Sequence, residues 1–167
     1  MAARIKFLVK TYLWTVLVFI IAKVAFMLCC HEGHAFTIAD VWQVVTHGLT
    51  LDLSTALYIL IVPFLVCIVS IWWNKGKVLG RILSVYIAII ALAMSLAFVA
   101  DTSLYPFWGF KLDASCLQYL ATPTEAMASV STGYLIIRLL VLFIVAALVY
   151  KGFPKFPPSP SPFSIPD

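Results

Sequence analysis

The sequence predicts an all-α, polytopic membrane protein with four transmembrane helices and short interfacial helices in its outer loops. Of its 167 residues, 63% are hydrophobic and only 11% are charged, and the mean hydropathy is +1.07. A soluble domain of this composition would lack enough polar surface to cover itself. In addition, the apolar residues fall into four runs, each long enough to cross a hydrocarbon core of about 30 Å as a helix.

The four predicted spans cover about residues 7–29, 51–73, 79–100 and 133–150. Backbone polar groups in lipid must be paired within the same segment, so these runs are predicted to be helices and not strands. Together they make residues 1–152 one transmembrane domain. Pro63, within the second run, is expected to kink that helix.

The basic residues predict the orientation of the chain. Eight of the eleven lie before the first span, between the second and third spans, or after the fourth, and these are Arg4, Lys6, Lys10, Lys75, Lys77, Arg81, Lys151 and Lys155. Basic residues are retained on the cytoplasmic side of a membrane. Six of the seven acidic residues lie in or beside the other two loops. We therefore expect a multi-pass membrane protein with a cytoplasmic N-terminus.

The first outer loop is predicted to contain a short amphipathic helix at the interface. The segment "FTIADVWQVVTHGL" spaces Ile38, Val41, Trp42 and Val45 as one helical face, and Gly48 is expected to end the helix.

The second outer loop carries further helix signals, and the chain ends in a proline-rich segment. Thr122, Pro123 and Glu125 match a helix start, and "KLDASCLQYL" is a candidate for another short helix. Residues 153–167 contain six prolines and are predicted to be an extended linker without packed structure.

Each predicted span carries one charged residue at a similar depth near its outer end. These are Lys23, Asp52, Asp101 and Arg138. Isolated charges are costly at such a depth, so we expect the four to face one another or a wet cavity. Two interpretations stay open: ion pairing between helices, or a pocket for an anionic lipid headgroup in which Arg138 would bind the phosphate.

The stretch "ADTSLYPFWGFKLDA", residues 100–114, follows the third span and is strongly aromatic. We expect Tyr105, Phe107 and Trp108 to lie at headgroup depth, where aromatic residues are enriched. Lys111 and Asp113 are expected to point towards water or a docked outer domain.

No catalytic or metal site is predicted. Catalytic and phosphate-binding signatures are missing from the sequence. The segment "CCHEGH" clusters candidate ligands but matches no zinc spacing, so an interfacial turn is favoured there. Whether Cys116 forms a disulfide with Cys29 or Cys30 stays open. Nucleic acid is not an expected partner, because the chain has no basic stripe with interleaved aromatic residues.

One long segment resembles a known family. "FVADTSLYPFWGFKLDASCLQYLATPTEAMASVSTG", residues 98–133, and "HGLTLDLSTALYIL", residues 47–60, are similar to the membrane domain of lipoteichoic acid synthase-like proteins. More narrowly, they resemble the sulfatase-like phosphoglycerol transferases of Bacteroidetes-type bacteria, in the alkaline phosphatase superfamily.

The resemblance implies a bacterial cytoplasmic (inner) membrane protein with about five spans, a linker and a large extracytoplasmic catalytic domain. That domain would use a threonine nucleophile and a divalent metal such as Mn²⁺ to transfer phosphoglycerol from phosphatidylglycerol or to cleave related esters. None of its catalytic residues has a counterpart here, so the chain is expected to need no cofactor of its own. Four spans return the chain to the cytoplasm, so a fifth is expected beyond Asp167.

These observations favour a membrane-anchor and lipid-presenting domain that is inactive alone and is truncated before its catalytic domain. Its expected partners are the bilayer, an anionic phospholipid such as phosphatidylglycerol, and the missing catalytic domain. The alternative is a self-contained integral membrane protein that acts as an assembly partner or transporter. Transport is disfavoured because the spans are apolar at mid-depth.

Overall fold

The computed structural model describes residues 2–30, 37–73, 75–109 and 131–157. Within these ranges the protein is 91% helical and has no strand. The helices are α1 (Ala2–Cys29), α2 (Ile38–Trp72), α3 (Gly76–Trp108) and α4 (Thr132–Gly152). All four are long and apolar enough to cross a membrane, and large apolar side chains stay exposed along each of them. The predicted fold class is confirmed, and the four helices indicate a multi-pass membrane protein.

The helices form a bundle in which α1 packs mainly on α2, and α3 packs mainly on α4. Because α2 and α3 are joined by the short connection 73–75, their paired ends lie beside the start of α1 and the end of α4. We call this the basic end, since it carries Arg4, Lys75, Lys77 and Lys151. The opposite end, which carries Asp40, Asp52 and Asp101, is called the acidic end.

The apolar core of the bundle lies at the basic end. Side chains from all four helices meet there, and Leu83 and Ala91 of α3 are each 1% exposed. The other buried members of this cluster are Phe7, Cys67, Ile87, Val149 and Phe153. Thr11 and Thr15 of α1 are also buried at this end, each 1% exposed. Their hydroxyls donate to backbone carbonyls one turn earlier in α1, so these polar groups are hydrogen-bonded inside the bundle.

Hydrogen bonds between helices join the basic end further. The Arg4 guanidinium donates to the carbonyl of Ser70 over 3.0 Å. The Trp14 indole donates to the carbonyl of Val149 over 3.0 Å, which links α1 to α4. The early start of α1, five residues before the predicted span, is therefore supported by contacts of Arg4 and Phe7 with other helices.

The predicted interfacial helix and the second span are one continuous helix. α2 begins at Ile38, where the Thr37 amide donates to the Asp40 carboxylate over 2.8 Å, and it continues through Gly48 to Trp72. The expected end near Gly48 was wrong. A glycine inside a helix costs only about 1 kcal/mol, and a glycine ends a helix in the left-handed region, which Gly48 does not adopt.

Helix α3 extends eight residues beyond its predicted end at residue 100. It contains Pro106 and ends at Trp108, where Gly109 takes a φ of 69° that closes the helix. At 1.5 Å per residue, α2 and α3 are each about 50 Å long, well beyond the hydrocarbon thickness of about 30 Å. The surplus length of both helices lies at the acidic end.

Pro63 is buried within α2 and cannot donate to the carbonyl of Ile59, one turn earlier. The Tyr86 hydroxyl of α3 donates to that carbonyl over 2.9 Å. A neighbouring helix therefore satisfies the backbone group that the proline leaves without a donor, as is required in lipid.

The first residues of the proline-rich segment pack against the bundle. Residues 153–157 are non-helical, as expected, but Phe153 is 7% exposed in the core. The Phe156 ring meets the Phe7 ring edge-on, with the centroids 5.6 Å apart. The structure thus differs here from the expected unpacked linker, because two aromatic side chains between the prolines reach the core.

Candidate lipid-headgroup site

Two of the four charges near the acidic end form an ion pair. The Lys23 ammonium on α1 lies 2.6 Å from the Asp52 carboxylate on α2. The two side chains are 19% and 7% exposed, so the ion pair is largely buried between the helices. Pairing lowers the cost of placing these two charges at this depth.

Gly48 leaves the space that Lys23 needs to reach Asp52. It precedes Asp52 by one helical turn and therefore lies on the same face of α2. A Cβ atom at Gly48 would overlap the Lys23 ammonium and lie 2.8 Å from Lys23 Cε. The lysine thus reaches Asp52 by crossing α2 where the helix has no side chain.

Arg138, in the first third of α4, has a different environment. It is half-buried, and its guanidinium carbon lies 4.9 Å from the centroid of the Tyr134 ring, a cation–π distance. The Tyr134 hydroxyl is 3.4 Å from the carbonyl of Ser103 on α3, a long hydrogen bond that ties this turn of α4 to α3. Among the described residues, no carboxylate lies within ion-pair distance of Arg138.

Asp101 is half-buried near the end of α3, two residues before Ser103. The structure therefore places all four predicted charges near the acidic end, and it pairs Lys23 with Asp52. Whether these residues bind a lipid headgroup stays a prediction.

The aromatic stretch after the third predicted span is helical up to Trp108. The Tyr105 ring packs edge-on against Phe26 of α1, with centroids 5.1 Å apart, so it joins two helices at the acidic end. Phe107 and Trp108 belong to the last turn of α3. Lys111 and Asp113 lie outside the described residues, as do the two helices predicted in the second outer loop.

The candidate metal ligands His31, Glu32 and His34 also lie outside the described residues, as does Cys116. Among the residues that the structure does describe, no group of three His, Cys, Asp or Glu side chains could hold a metal ion.

Sequence reasoning missed Gly48 and Tyr134 as parts of the site. A signal existed for each, since Gly48 precedes Asp52 by four residues and Tyr134 precedes Arg138 by four residues. Residues four apart share a helix face. Comparisons with protein-family models, curated proteins and solved structures give no match for this chain.

Proposed function

We propose that this chain is the membrane-anchor and lipid-presenting domain of a sulfatase-like phosphoglycerol transferase. In this role it holds an anionic glycerophospholipid, such as phosphatidylglycerol, at the acidic end of the bundle for a catalytic domain on that side. The observation that carries the proposal is the environment of Arg138, a half-buried cation that has an aromatic partner but no carboxylate partner among the described residues.

The chemistry of arginine favours a phosphate as a partner for Arg138. A guanidinium keeps its charge at any physiological pH and binds phosphate through two parallel hydrogen bonds. The Tyr134 ring beside the guanidinium accepts no conventional hydrogen bond through its face, so this contact does not by itself use the arginine's N–H groups. Lys23, whose charge is balanced by Asp52 at 2.6 Å, is a weaker candidate for the same role.

The orientation supports a substrate held on the outer side. The basic residues gather at the opposite end of the bundle, which we propose to be cytoplasmic because Lys and Arg are enriched on that side of membranes. The acidic end would then face the outside of a bacterial inner membrane. Phosphatidylglycerol presented there would be accessible to an extracytoplasmic enzyme.

The kind of enzyme comes from the resemblance of residues 47–60 and 98–133 to lipoteichoic acid synthase-like proteins. In that family the chemistry belongs to an alkaline phosphatase superfamily domain with a threonine nucleophile and a divalent metal such as Mn²⁺. The membrane chain would contribute binding and position, because a lipid that is held in place reacts more readily than one that diffuses freely.

The test compares lipids that copurify with the wild-type protein and with Arg138→Ala in a mild detergent, measured by mass spectrometry. We expect phosphatidylglycerol to be enriched over phosphatidylcholine in the wild type and to lose about tenfold of that enrichment in Arg138→Ala. Arg138→Lys should lose part of it, since lysine keeps the charge but not the two-point geometry.

Arg81→Ala is the matched control, because Arg81 is an exposed arginine on α3 at the basic end. It should leave the enrichment unchanged. The proposal fails if Arg138→Ala folds normally by circular dichroism and retains as much phosphatidylglycerol as the wild type. Turnover of phosphatidylglycerol by the chain alone would also contradict it, since that result would place the chemistry within these helices.

A further inference from the structure

A cleft of about 320 Å³ lies between α1, α3 and α4, on the acidic side of the core. Its walls are almost entirely apolar. They include Trp14, Ala22 and Ala25 from α1, Ser95 and Phe98 from α3, and Val145 from α4. The small side chains of Ala22 and Ala25 leave space that larger residues would fill.

Ser95 is the one polar feature of this cleft that needs explanation. It is 1% exposed, and among the described residues its hydroxyl has no hydrogen-bond partner. Other hydroxyls in these helices donate to a carbonyl one turn earlier, as Thr15 and Ser54 do. A buried hydroxyl without a partner costs about 1–3 kcal/mol, so an occupant that offers an acceptor would be stabilised here.

The pairing of α3 and α4 sets the depth of Arg138 relative to this hydroxyl. Tyr134 meets Ser103 near the acidic end, and the Tyr150 hydroxyl meets Ser84 near the basic end. Because the two helices are antiparallel, this pairing sets Arg138 about one helical turn, or about 5 Å, from Ser95 along the bundle. Arg138 also shares a face of α4 with Val145, seven residues later, which lines the cleft.

We propose that this cleft holds an acyl chain of an anionic glycerophospholipid whose phosphate is bound by Arg138. The inference rests on the proposed function for the headgroup and adds the site of the chain. The Ser95 hydroxyl donates to the ester carbonyl that joins the acyl chain to glycerol. A glycerophospholipid carries an anion, an ester acceptor and a hydrocarbon chain in this order, which matches Arg138, Ser95 and the apolar walls.

A further transmembrane helix fits this cleft less well. An α-helix is about 10 Å across with its side chains, so its insertion would push α1 away from α4. The hydrogen bond of 3.0 Å between the Trp14 indole and the Val149 carbonyl opposes that separation. A single acyl chain needs no such movement.

The experiment uses Trp14 as a contact reporter, because its ring lines the cleft. A full-length variant keeps Trp14 and replaces the other tryptophans with phenylalanine, namely Trp42, Trp72, Trp73 and Trp108. It is reconstituted into vesicles that contain phosphatidylglycerol or phosphatidylcholine with brominated acyl chains, which quench tryptophan on contact. We expect the brominated phosphatidylglycerol to quench Trp14 at least twofold more strongly than the brominated phosphatidylcholine.

Ala25→Phe fills the cleft and should remove this excess quenching. Ala97→Phe is the control, because Ala97 is exposed on α3 outside the cleft walls. Quenching that stays unchanged in Ala25→Phe would overturn the inference, since Trp14 would then be in contact with bulk lipid. If both lipids quench equally and Ala25→Phe lowers both, the acyl site stands and the headgroup proposal fails instead.

Ser95→Ala tests the ester contact with a smaller change. The wild type should prefer ester-linked over ether-linked phosphatidylglycerol about threefold, the ratio for one hydrogen bond between groups in a membrane. Ser95→Ala should bind both lipids equally, with quenching of Trp14 as the measurement. Equal binding of the two lipids by the wild type would overturn the role given to Ser95.

Discussion

At the basic end of the bundle all four helices meet around buried apolar side chains, whereas at the acidic end they are joined by charges and aromatic rings. Leu83 and Phe7 are 1% and 3% exposed in the core of the first region. The second region has the Lys23–Asp52 ion pair, the Tyr105–Phe26 contact and the Arg138–Tyr134 contact.

This difference separates the packing core from the charged contacts between helices. At the basic end close apolar packing holds the helices together, although a pocket of about 400 Å³ lined by Leu83, Tyr150 and Phe156 also opens there. The acidic end has a cation without a described carboxylate partner, and a cleft of about 320 Å³ lies on the acidic side of the core. Such features lower the stability of a region and provide contacts for a ligand.

The largest expected effect is at the basic end, from Leu83→Ala. The leucine is 1% exposed among side chains from several helices, so its truncation leaves a cavity and should cost about 2–4 kcal/mol. The free energy of unfolding is measured by titration with a denaturing detergent, followed by circular dichroism. Leu96→Ala on the same helix is the control, because Leu96 is 55% exposed and should cost well under half as much. Equal losses would show that the core does not dominate stability.

The next effect is at the acidic end, from Asp52→Asn. This change leaves the Lys23 ammonium without its anion and should cost about 2 kcal/mol, measured in the same way. The double variant Lys23→Met with Asp52→Asn should recover part of the loss, since no charge is then left unpaired. A fully additive double variant would contradict the ion pair.

Gly48→Ala tests the same pair without removing a charge. Its Cβ would overlap the Lys23 ammonium, so the lysine must move and the ion pair should weaken by about 1 kcal/mol. Gly133→Ala on α4 is the matched control, because its Cβ would meet nothing within 4 Å. If Gly48→Ala and Gly133→Ala lower the stability equally, the ion pair does not depend on the missing side chain at Gly48.

A smaller effect is expected where a side chain of α3 donates to a backbone carbonyl of α2, in the half of the bundle nearer the basic end. Tyr86→Phe removes the hydroxyl that donates to the Ile59 carbonyl and should cost about 1 kcal/mol. In a Pro63→Ala background the new backbone N–H can donate to that carbonyl, so Tyr86→Phe should become nearly neutral. The coupling between the two changes is measured by a double-mutant cycle. If the effects of Tyr86→Phe and Pro63→Ala are additive, the Tyr86 hydroxyl does not compensate for the proline.

The smallest effects compare two tyrosines that join α3 to α4. Tyr150→Phe removes a hydroxyl contact of 2.5 Å with Ser84, and Tyr134→Phe removes a contact of 3.4 Å with Ser103. We expect about 0.5 kcal/mol for the first and less for the second, since hydrogen bonds weaken with length. A larger loss of stability from Tyr134→Phe than from Tyr150→Phe would contradict this prediction.

Much of the fold could be predicted because lipid imposes simple rules on length and polarity. The four helices follow from the apolar runs, and the charged residues near the acidic end follow from where the runs end. Helix bounds were less predictable. A glycine was expected to end a helix at Gly48, and the charges from Asp101 onwards to end one at residue 100, but both helices continue.

The choice of partners could not be predicted from the sequence. Lys23 could have met Asp52 or Asp101, and Arg138 could have met either of them. The pairing depends on how the helices rotate about their axes, and that rotation is set by contacts such as Trp14 with Val149 and Tyr86 with Ile59. These contacts join residues that are far apart in the chain.

By itself the sequence determined the class of protein, the number of long apolar helices and the depth of the charged residues. Hydrophobic length and the cost of charge in lipid act on each segment separately, so they are visible in a linear pattern. The tertiary structure alone decided that Lys23 crosses Gly48 to reach Asp52, that the Tyr86 hydroxyl donates to the Ile59 carbonyl one turn before Pro63, and that Ser95 lines an apolar cleft. These depend on the packing of one helix against another, because each contact needs two surfaces in register.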